Sequence, residues 1–119
     1  MATISDLALS LLSCSGAKIV EKSAQSAKVI VGGKEIDCVF CKDLAEPING
    51  FIFCDNTKDN VERLVNAWDA FIAKPLCKIT FITTSNGNKW SIKPSIHDKI
   101  VERKNLKLGL LSLFDGSLA

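Results

Sequence analysis

The stretch GGKEIDCVFCKDLAEPINGFIFCDNTKDN, residues 32–60, carries most of the side chains that a chemical reaction would use. Glu35 and Asp37 lie two residues apart in a β-rich run, so they share one face of the predicted strand. One interpretation makes Asp37 a solvent-facing acid on the polar side of an alternating strand. In the other, Val39 and Cys41 bury that face, and a buried carboxylate would take up a proton or bind a cation. The residues alone leave both interpretations open.

The chain has five cysteines, and Cys38 and Cys41 form a CxxC motif, the spacing of zinc knuckles and thioredoxin-like sites. Residues three apart in a strand point to opposite faces, so these two cannot share one metal ion. A zinc site that combines one of them with Cys54, Cys77 and His97 lacks a second close pair. We therefore expect reduced, buried thiols that pack as small apolar side chains.

Basic residues concentrate towards the C-terminus. In the strand-like run KWSIK, Lys89 and Lys93 alternate with apolar residues, which gives one strand face a positive charge that can follow a phosphate backbone. The alternative is a solvated surface of mixed charge, because Asp98 and Glu102 are interleaved. The candidate nucleic-acid contacts are Lys89, Lys93, Lys99, Arg103 and Lys104.

Length and composition limit the classes of protein to consider. A chain of 119 residues fits one domain, which we assign to residues 1–119, and 47% hydrophobic with 24% charged residues is typical of a globular protein. The net charge of +2 is far below that of proteins that coat nucleic acid, so any nucleic-acid contact is expected to be a local patch. No apolar run approaches the roughly 18 residues of a membrane span. We expect a cytoplasmic protein without membrane contact.

Two helices have clear sequence signals. Residues 3–16 repeat apolar side chains on one helical face, and Thr3 with Asp6 predicts a capping box at the start. Residues 59–73 form the strongest periodic segment in the chain and are predicted to be one amphipathic helix that Pro75 stops.

Strand signals occupy the segments between and after these helices. Gly32-Gly33 between two β-rich runs predicts a tight hairpin, and the apolar run FIFC predicts a strand in the middle of a sheet. CKITFITTS and KWSIKP predict two further strands around a turn at Asn86-Gly87. With two predicted C-terminal helices, the order is α-β-β-β-β-α-β-β-α-α.

A helix, a three-strand meander, a helix and a further strand resemble the core of the restriction-endonuclease-like superfamily, the PD-(D/E)xK nucleases. The segments GKEIDCVF and GFIFCDN and the helix of residues 59–73 carry the resemblance, which covers roughly residues 3–93. It implies an α/β domain with a mixed central β-sheet flanked by helices and an α-β-β-β-α-β core. In that superfamily a strand Asp and an E-x-K motif on the next strand bind a divalent metal such as Mg²⁺.

The match to the superfamily motif holds in its first half and departs in its second. Asp37 matches the strand Asp, and Glu35 lies beside it. Where E-x-K should stand, the chain has FCDNT, so Asp55 is shifted into the acid's role and Lys58 follows one residue beyond the expected Lys. The resemblance implies Asp37, Asp55 and Glu35 as metal ligands and Asp37, Asp55 and Lys58 as catalytic residues.

Three classes of function compete. The first is a non-catalytic or degenerate nuclease-like domain that binds DNA, RNA or a partner subunit, which we favour because the scaffold signals hold while the motif Lys is missing. The second is an active Mg²⁺-dependent endonuclease. The third is a structural or protein-interaction domain unrelated to nucleases. In each case we expect a homodimer through an exposed sheet edge or helix.

Overall fold

The structure is a computed structural model that describes residues 3–84 and 89–92. These residues form one α/β domain in which helices flank a six-stranded mixed sheet, so the predicted fold class is confirmed. The strands are β1 (Lys18–Lys22), β2 (Ser26–Val31), β3 (Lys34–Cys41), β4 (Gly50–Asp55), β5 (Lys78–Ile82) and β6 (Lys89–Ile92); the helices are α1 (Ile4–Cys14), α2 (Lys58–Asn66) and α3 (Trp68–Ile72). No helix within these ranges has the length and apolar character needed to cross a bilayer.

The strands lie in the sheet in the same order as in the chain. β1, β2 and β3 form an antiparallel meander, β3, β4 and β5 run parallel, and β6 is antiparallel to β5. The predicted hairpin is confirmed: Val31 pairs with Lys34, and the two residues between them, Gly32 and Gly33, have φ angles of 57° and 80°. Both glycines adopt positive φ, which side chains disfavour and a primed turn requires.

Strand β1 is one edge of the sheet, and its pairing with β2 is irregular. Ile19 pairs with Val29 and Glu21 with Lys28, so the register shifts between these two pairs, and the large apolar side chain of Val20 is 42% exposed. One residue of β1 is therefore inserted as a bulge.

A connection without a helix joins the parallel strands β3 and β4 across residues 42–49. Asn60 of α2, only 1% exposed, fixes this connection: its Oδ1 accepts a hydrogen bond from the Leu44 amide at 2.9 Å, and its Nδ2 donates to the Lys42 carbonyl at 2.7 Å. The same Nδ2 donates to the Asp55 carbonyl at 2.8 Å. One buried amide thus joins the connection, the end of β4 and the start of α2.

Helix α1 covers one face of the sheet, which we call the α1 face. Its predicted capping box is present, because Thr3 Oγ1 accepts from the Asp6 amide and Asp6 Oδ2 accepts from the Thr3 amide, both at 3.1 Å. The buried side chains of this layer are Ala8, Leu12, Ala27, Val29, Cys38, Phe40, Phe53 and Ile82.

Helices α2 and α3 cover the opposite face, which we call the α2 face. The single helix predicted over residues 59–73 is divided: Ala67 leaves the helical region with φ −103° and ψ 19°, so α2 ends at Asn66 and α3 begins at Trp68. The periodic face was predicted correctly, because its members pack together in the core against β4 and β5. The buried side chains of this layer are Ile52, Cys54, Val61, Leu64, Val65, Trp68, Phe71, Cys77, Ile79, Phe81 and Ile92.

Part of the sequence-based prediction lies outside the described residues. The Asn86-Gly87 turn and the two C-terminal helices belong to this part, as does His97.

Candidate nucleic-acid interface

The structure does not bring the two predicted aspartates together. Asp37 pairs with Gly50, and Cys41 pairs with Cys54, so Asp55 lies five residues further along the parallel ladder, about 16 Å at ~3.3 Å per residue. Strand alternation also separates them by face. Asp37 shares the α2 face with its pairing partner, whereas Asp55 alternates with Cys54 and shares the α1 face with Phe53.

Asp37 itself is exposed, so the interpretation of it as a solvent-facing acid is the one that fits the structure. Its direct neighbour on β2 is Lys28, whose Nζ lies 3.6 Å from Oε1 of Glu35. Both side chains of that ion pair are exposed, which gives it little stabilising effect. Glu35 therefore faces a lysine on the sheet surface.

Lys58, the third residue implied as catalytic, is the exposed first residue of α2. It follows Asp55 on the chain and lies at the carboxyl end of β4, away from Asp37. Within residues 3–84 and 89–92, no three His, Cys, Asp or Glu side chains form a group that could hold a metal ion. The Mg²⁺ site stays a prediction.

Of the basic residues predicted to contact nucleic acid, the structure describes Lys89, which is exposed on β6. Lys93, Lys99, Arg103 and Lys104 lie outside the described residues. The predicted alternation is present: Lys89 and Ser91 are exposed on the α1 face, while Trp90 and Ile92 pack on the α2 face.

Trp90 is fixed in the α2-face layer. Its ring stacks on Phe81 at 4.3 Å between centroids with 19° between planes, and its Nε1 donates to Asn56 Oδ1 at 3.0 Å. Asn56 Nδ2 in turn donates to Thr83 Oγ1 at 3.1 Å. The amide nitrogen and the carbonyl oxygen of the Asn56 side chain thus join the end of β4 to β5 and β6. The Trp90 indole therefore serves packing.

A cleft lies on the α1 face between the second half of α1 and strands β5 and β6. Its volume is about 220 Å³, and we call it the α1–β6 cleft. Helix α1 packs against β1, β3 and β4, which leaves the β5–β6 part of the face more open. The side chains that line the cleft include Leu11, Phe51, Lys78, Thr80, Lys89 and Ser91.

The polar part of the α1–β6 cleft comes from β5 and β6. Lys78 and Thr80 alternate on β5 as Lys89 and Ser91 do on β6, and Thr80 pairs directly with Ser91. The hydroxyl oxygens of Thr80 and Ser91 lie 3.0 Å apart, within hydrogen-bonding distance. Of the described residues that line the cleft, two are lysines and none is a carboxylate. The cleft is therefore positively charged.

The apolar part of the cleft comes from α1 and β4. Phe51 pairs with Lys78 in the parallel β4–β5 ladder and remains partly exposed, and its ring meets Phe53 edge to face with 6.5 Å between centroids. Sequence analysis missed Phe51, Lys78 and Thr80 as members of a site. The alternation of Lys78 and Thr80 in CKITF was a signal, but its meaning depends on which strands lie beside β5.

The cysteine side chains are not arranged as in a CxxC metal or redox site. Cys38 packs in the α1-face layer and Cys41 against the α2-face layer, so the prediction that they point to opposite faces is confirmed. Burial raises the pKa of Cys38 to about 11. Cys41 instead lies directly opposite Cys54, whose thiol hydrogen bond lowers the pKa of Cys41, while the same contact and burial raise the pKa of Cys54.

Compared with protein-family models, curated proteins and solved structures, the chain has no match.

Proposed function

We propose that this chain is a non-catalytic domain that binds single-stranded nucleic acid in the α1–β6 cleft. The observation that carries the proposal is the pairing of positive charge with a partly exposed aromatic ring. Lys78 and Lys89 bring two positive charges from neighbouring strands, and no carboxylate among the described lining residues offsets them. Lysine side chains at such a surface attract phosphate groups.

Phe51 supports a single strand as the ligand rather than a duplex. It is partly exposed beside Lys78, on a strand that α1 contacts and next to the more open β5–β6 part of the α1 face. Proteins that bind single strands place aromatic side chains on a sheet so that unpaired bases stack on them while basic residues follow the backbone. The Thr80 and Ser91 hydroxyls add donors and acceptors between the two lysines.

The dimensions of the cleft favour a polymer over a small metabolite. Its volume of about 220 Å³ is below the ~300–1,000 Å³ of typical small-molecule pockets. A positively charged cleft of this size suits a short segment of a longer chain rather than a whole small-molecule ligand.

The positions of the acids favour binding without catalysis. Metal-assisted hydrolysis of a phosphodiester needs carboxylates that converge on shared metal ions. Asp37 and Asp55 lie on opposite faces of the sheet, so only Asp55 shares the α1 face with the cleft and the two acids cannot converge on one metal ion there. Kinship with the endonuclease-like superfamily stays a prediction. Melting the wild type and Asp37→Asn with and without Mg²⁺ or Mn²⁺ tests it, because a bound metal raises the melting temperature of the wild type alone.

The binding experiment measures how affinity depends on salt. A labelled 12-nucleotide oligo-dT is titrated with the full chain by fluorescence anisotropy at 50–200 mM salt. Each phosphate contact on a single strand contributes about 0.7 to the slope of log affinity against log salt. The double variant Lys78→Gln/Lys89→Gln should therefore lower the slope by about 1.4, so that its loss of affinity is about sevenfold greater at 50 mM than at 200 mM salt.

A matched variant separates local contact from net charge. Lys22→Gln/Lys58→Gln removes the same charge from exposed positions that do not line the cleft, and it should leave the slope close to that of the wild type. Phe51→Leu should weaken binding by about 5- to 150-fold, the effect of losing ~1–3 kcal/mol of base stacking. Equal slopes for the two lysine pairs, or no binding of oligo-dT by the wild type, would overturn the proposal; cleavage of the oligonucleotide would overturn its non-catalytic part.

A further inference from the structure

Two cysteines meet across the parallel strands β3 and β4. Cys41 is the last residue of β3, Cys54 is the last but one of β4, and the two pair directly in the ladder. Both side chains lie on the α2 face. Neighbouring strands are about 4.8 Å apart, which is within the ~4.4–6.8 Å between Cα atoms that a disulfide spans. The bond requires the two Cβ atoms to lie about 3.5–4.5 Å apart.

The two thiols differ in access and acidity. Cys41 is partly exposed, whereas Cys54 is completely buried. The Cys41 thiol donates to the Phe53 carbonyl at 3.5 Å, and the neighbouring Cys54 thiol, by stabilising the thiolate form, lowers the pKa of Cys41. A thiolate that solvent can reach, next to a second thiol that solvent cannot reach, is the arrangement in which an oxidant attacks one sulfur and the other resolves the product.

We propose that Cys41 and Cys54 form an oxidisable dithiol that a hydroperoxide converts into a cross-strand disulfide. The Cys41 thiolate attacks one peroxide oxygen, the O–O bond breaks, and Cys41 sulfenic acid forms with release of hydroxide. The Cys54 sulfur then attacks the sulfenic sulfur, the S–O bond breaks, and the S–S bond forms. The sulfenic oxygen leaves as water with the proton of Cys54. Two electrons pass from the sulfur pair to hydrogen peroxide: one oxygen leaves as water, and the other leaves as hydroxide, which becomes water by taking up the proton that the Cys41 thiol lost on ionisation.

The other three cysteines are less suited to this reaction. Cys38 is buried on the opposite face with a pKa raised to about 11, and Cys77 is buried with its pKa raised by burial. Cys14 is exposed at the end of α1 and can form links between molecules. Cys14→Ser is therefore the background in which the cross-strand reaction is tested.

The experiment maps disulfides in the full chain. Protein carrying Cys14→Ser is oxidised with one to two equivalents of hydrogen peroxide, alkylated and digested with trypsin. Cleavage after Lys34, Lys42 and Lys58 places Cys41 in peptide 35–42 and Cys54 in peptide 43–58. We expect these peptides joined, with a mass two hydrogens below their sum, and released by dithiothreitol. The joined peptides should still form when Cys38→Ser is added to the Cys14→Ser background. They should be absent when Cys41→Ser or Cys54→Ala is added.

Far-UV circular dichroism verifies that each variant folds. If Cys54→Ala does not fold, Cys41→Ser, at the partly exposed position, still tests whether the joined peptides depend on this cysteine pair. The proposal is overturned if the peptides remain joined in Cys41→Ser, if the bond forms within peptide 35–42, or if oxidation of Cys41 proceeds to sulfinic acid without any disulfide.

Discussion

Replacing Asn60 with alanine removes the buried side chain that fixes the connection between β3 and β4. The Asn60 amide makes three hydrogen bonds, to the Leu44 amide and to the carbonyls of Lys42 and Asp55, at 2.7–2.9 Å. A net contribution of about 1 kcal/mol for each bond predicts a loss of about 3 kcal/mol in the free energy of unfolding. The three partners lose their bonds at a site that is 1% exposed, so water replaces them poorly.

This loss translates into a large change in melting temperature. A chain of 119 residues has an unfolding entropy of about 0.25 kcal/mol per kelvin, so 3 kcal/mol corresponds to about 12 °C. Thermal melts followed by far-UV circular dichroism, with urea melts for the free energy, measure the effect. Native spectra at 20 °C establish that the variant folds.

Asn66 offers a matched control because it is the same residue type on the same helix and is exposed. Asn66→Ala should change the melting temperature by no more than about 2 °C, as exposed substitutions usually do. If Asn60→Ala and Asn66→Ala melt within 2 °C of each other, the buried amide does not hold the connection, and the reasoning from its three bonds fails.

Two further predictions concern single positions. A Cβ at Gly50 would collide with the backbone carbonyl oxygen of Asp37, so Gly50→Ala should cost about 1–3 kcal/mol and lower the melting temperature by about 4–12 °C; a melt within 2 °C of wild type would contradict this. The Thr3 amide and hydroxyl hold the pKa of Asp6 below its usual 3.8. A lowered folded-state pKa gives stability that is present above the unfolded pKa and lost as pH falls through the folded one. The difference in melting temperature between wild type and Asp6→Asn should therefore be largest above about pH 5 and should disappear as the pH falls below 3.8. A difference that does not change with pH would argue against the capping role.

Features set by neighbouring residues were predictable from the sequence. The capping box of Thr3 and Asp6 and the hairpin at Gly32-Gly33 depend on local hydrogen bonds and local φ angles, and both are present. The apolar face of residues 59–73 was also correct, because burial follows helical period, although the break at Ala67 was not predicted.

Features set by strand register were not predictable. Alternation assigns each residue of β3 to a face relative to its own neighbours, but nothing in the sequence states which residue of β4 stands opposite. The parallel pairing of Asp37 with Gly50 separates Asp37 from Asp55 and brings Cys41 to Cys54. Strand alternation correctly separated Cys38 from Cys41, but it did not predict that the neighbour of Cys41 is Cys54, thirteen residues away on the next strand.

Strand β1 is poorly suited to pair with a further strand. A flat edge strand can act as a template for another copy of the chain, which leads to open-ended aggregation. The inserted residue at Val20 interrupts the row of backbone donors and acceptors after two residues, and Lys18 and Lys22 stand at its two ends. An incoming copy of β1 would meet like charges and a bent edge, so fibril growth from this side is disfavoured. We therefore expect self-association of the chain to use a surface other than β1.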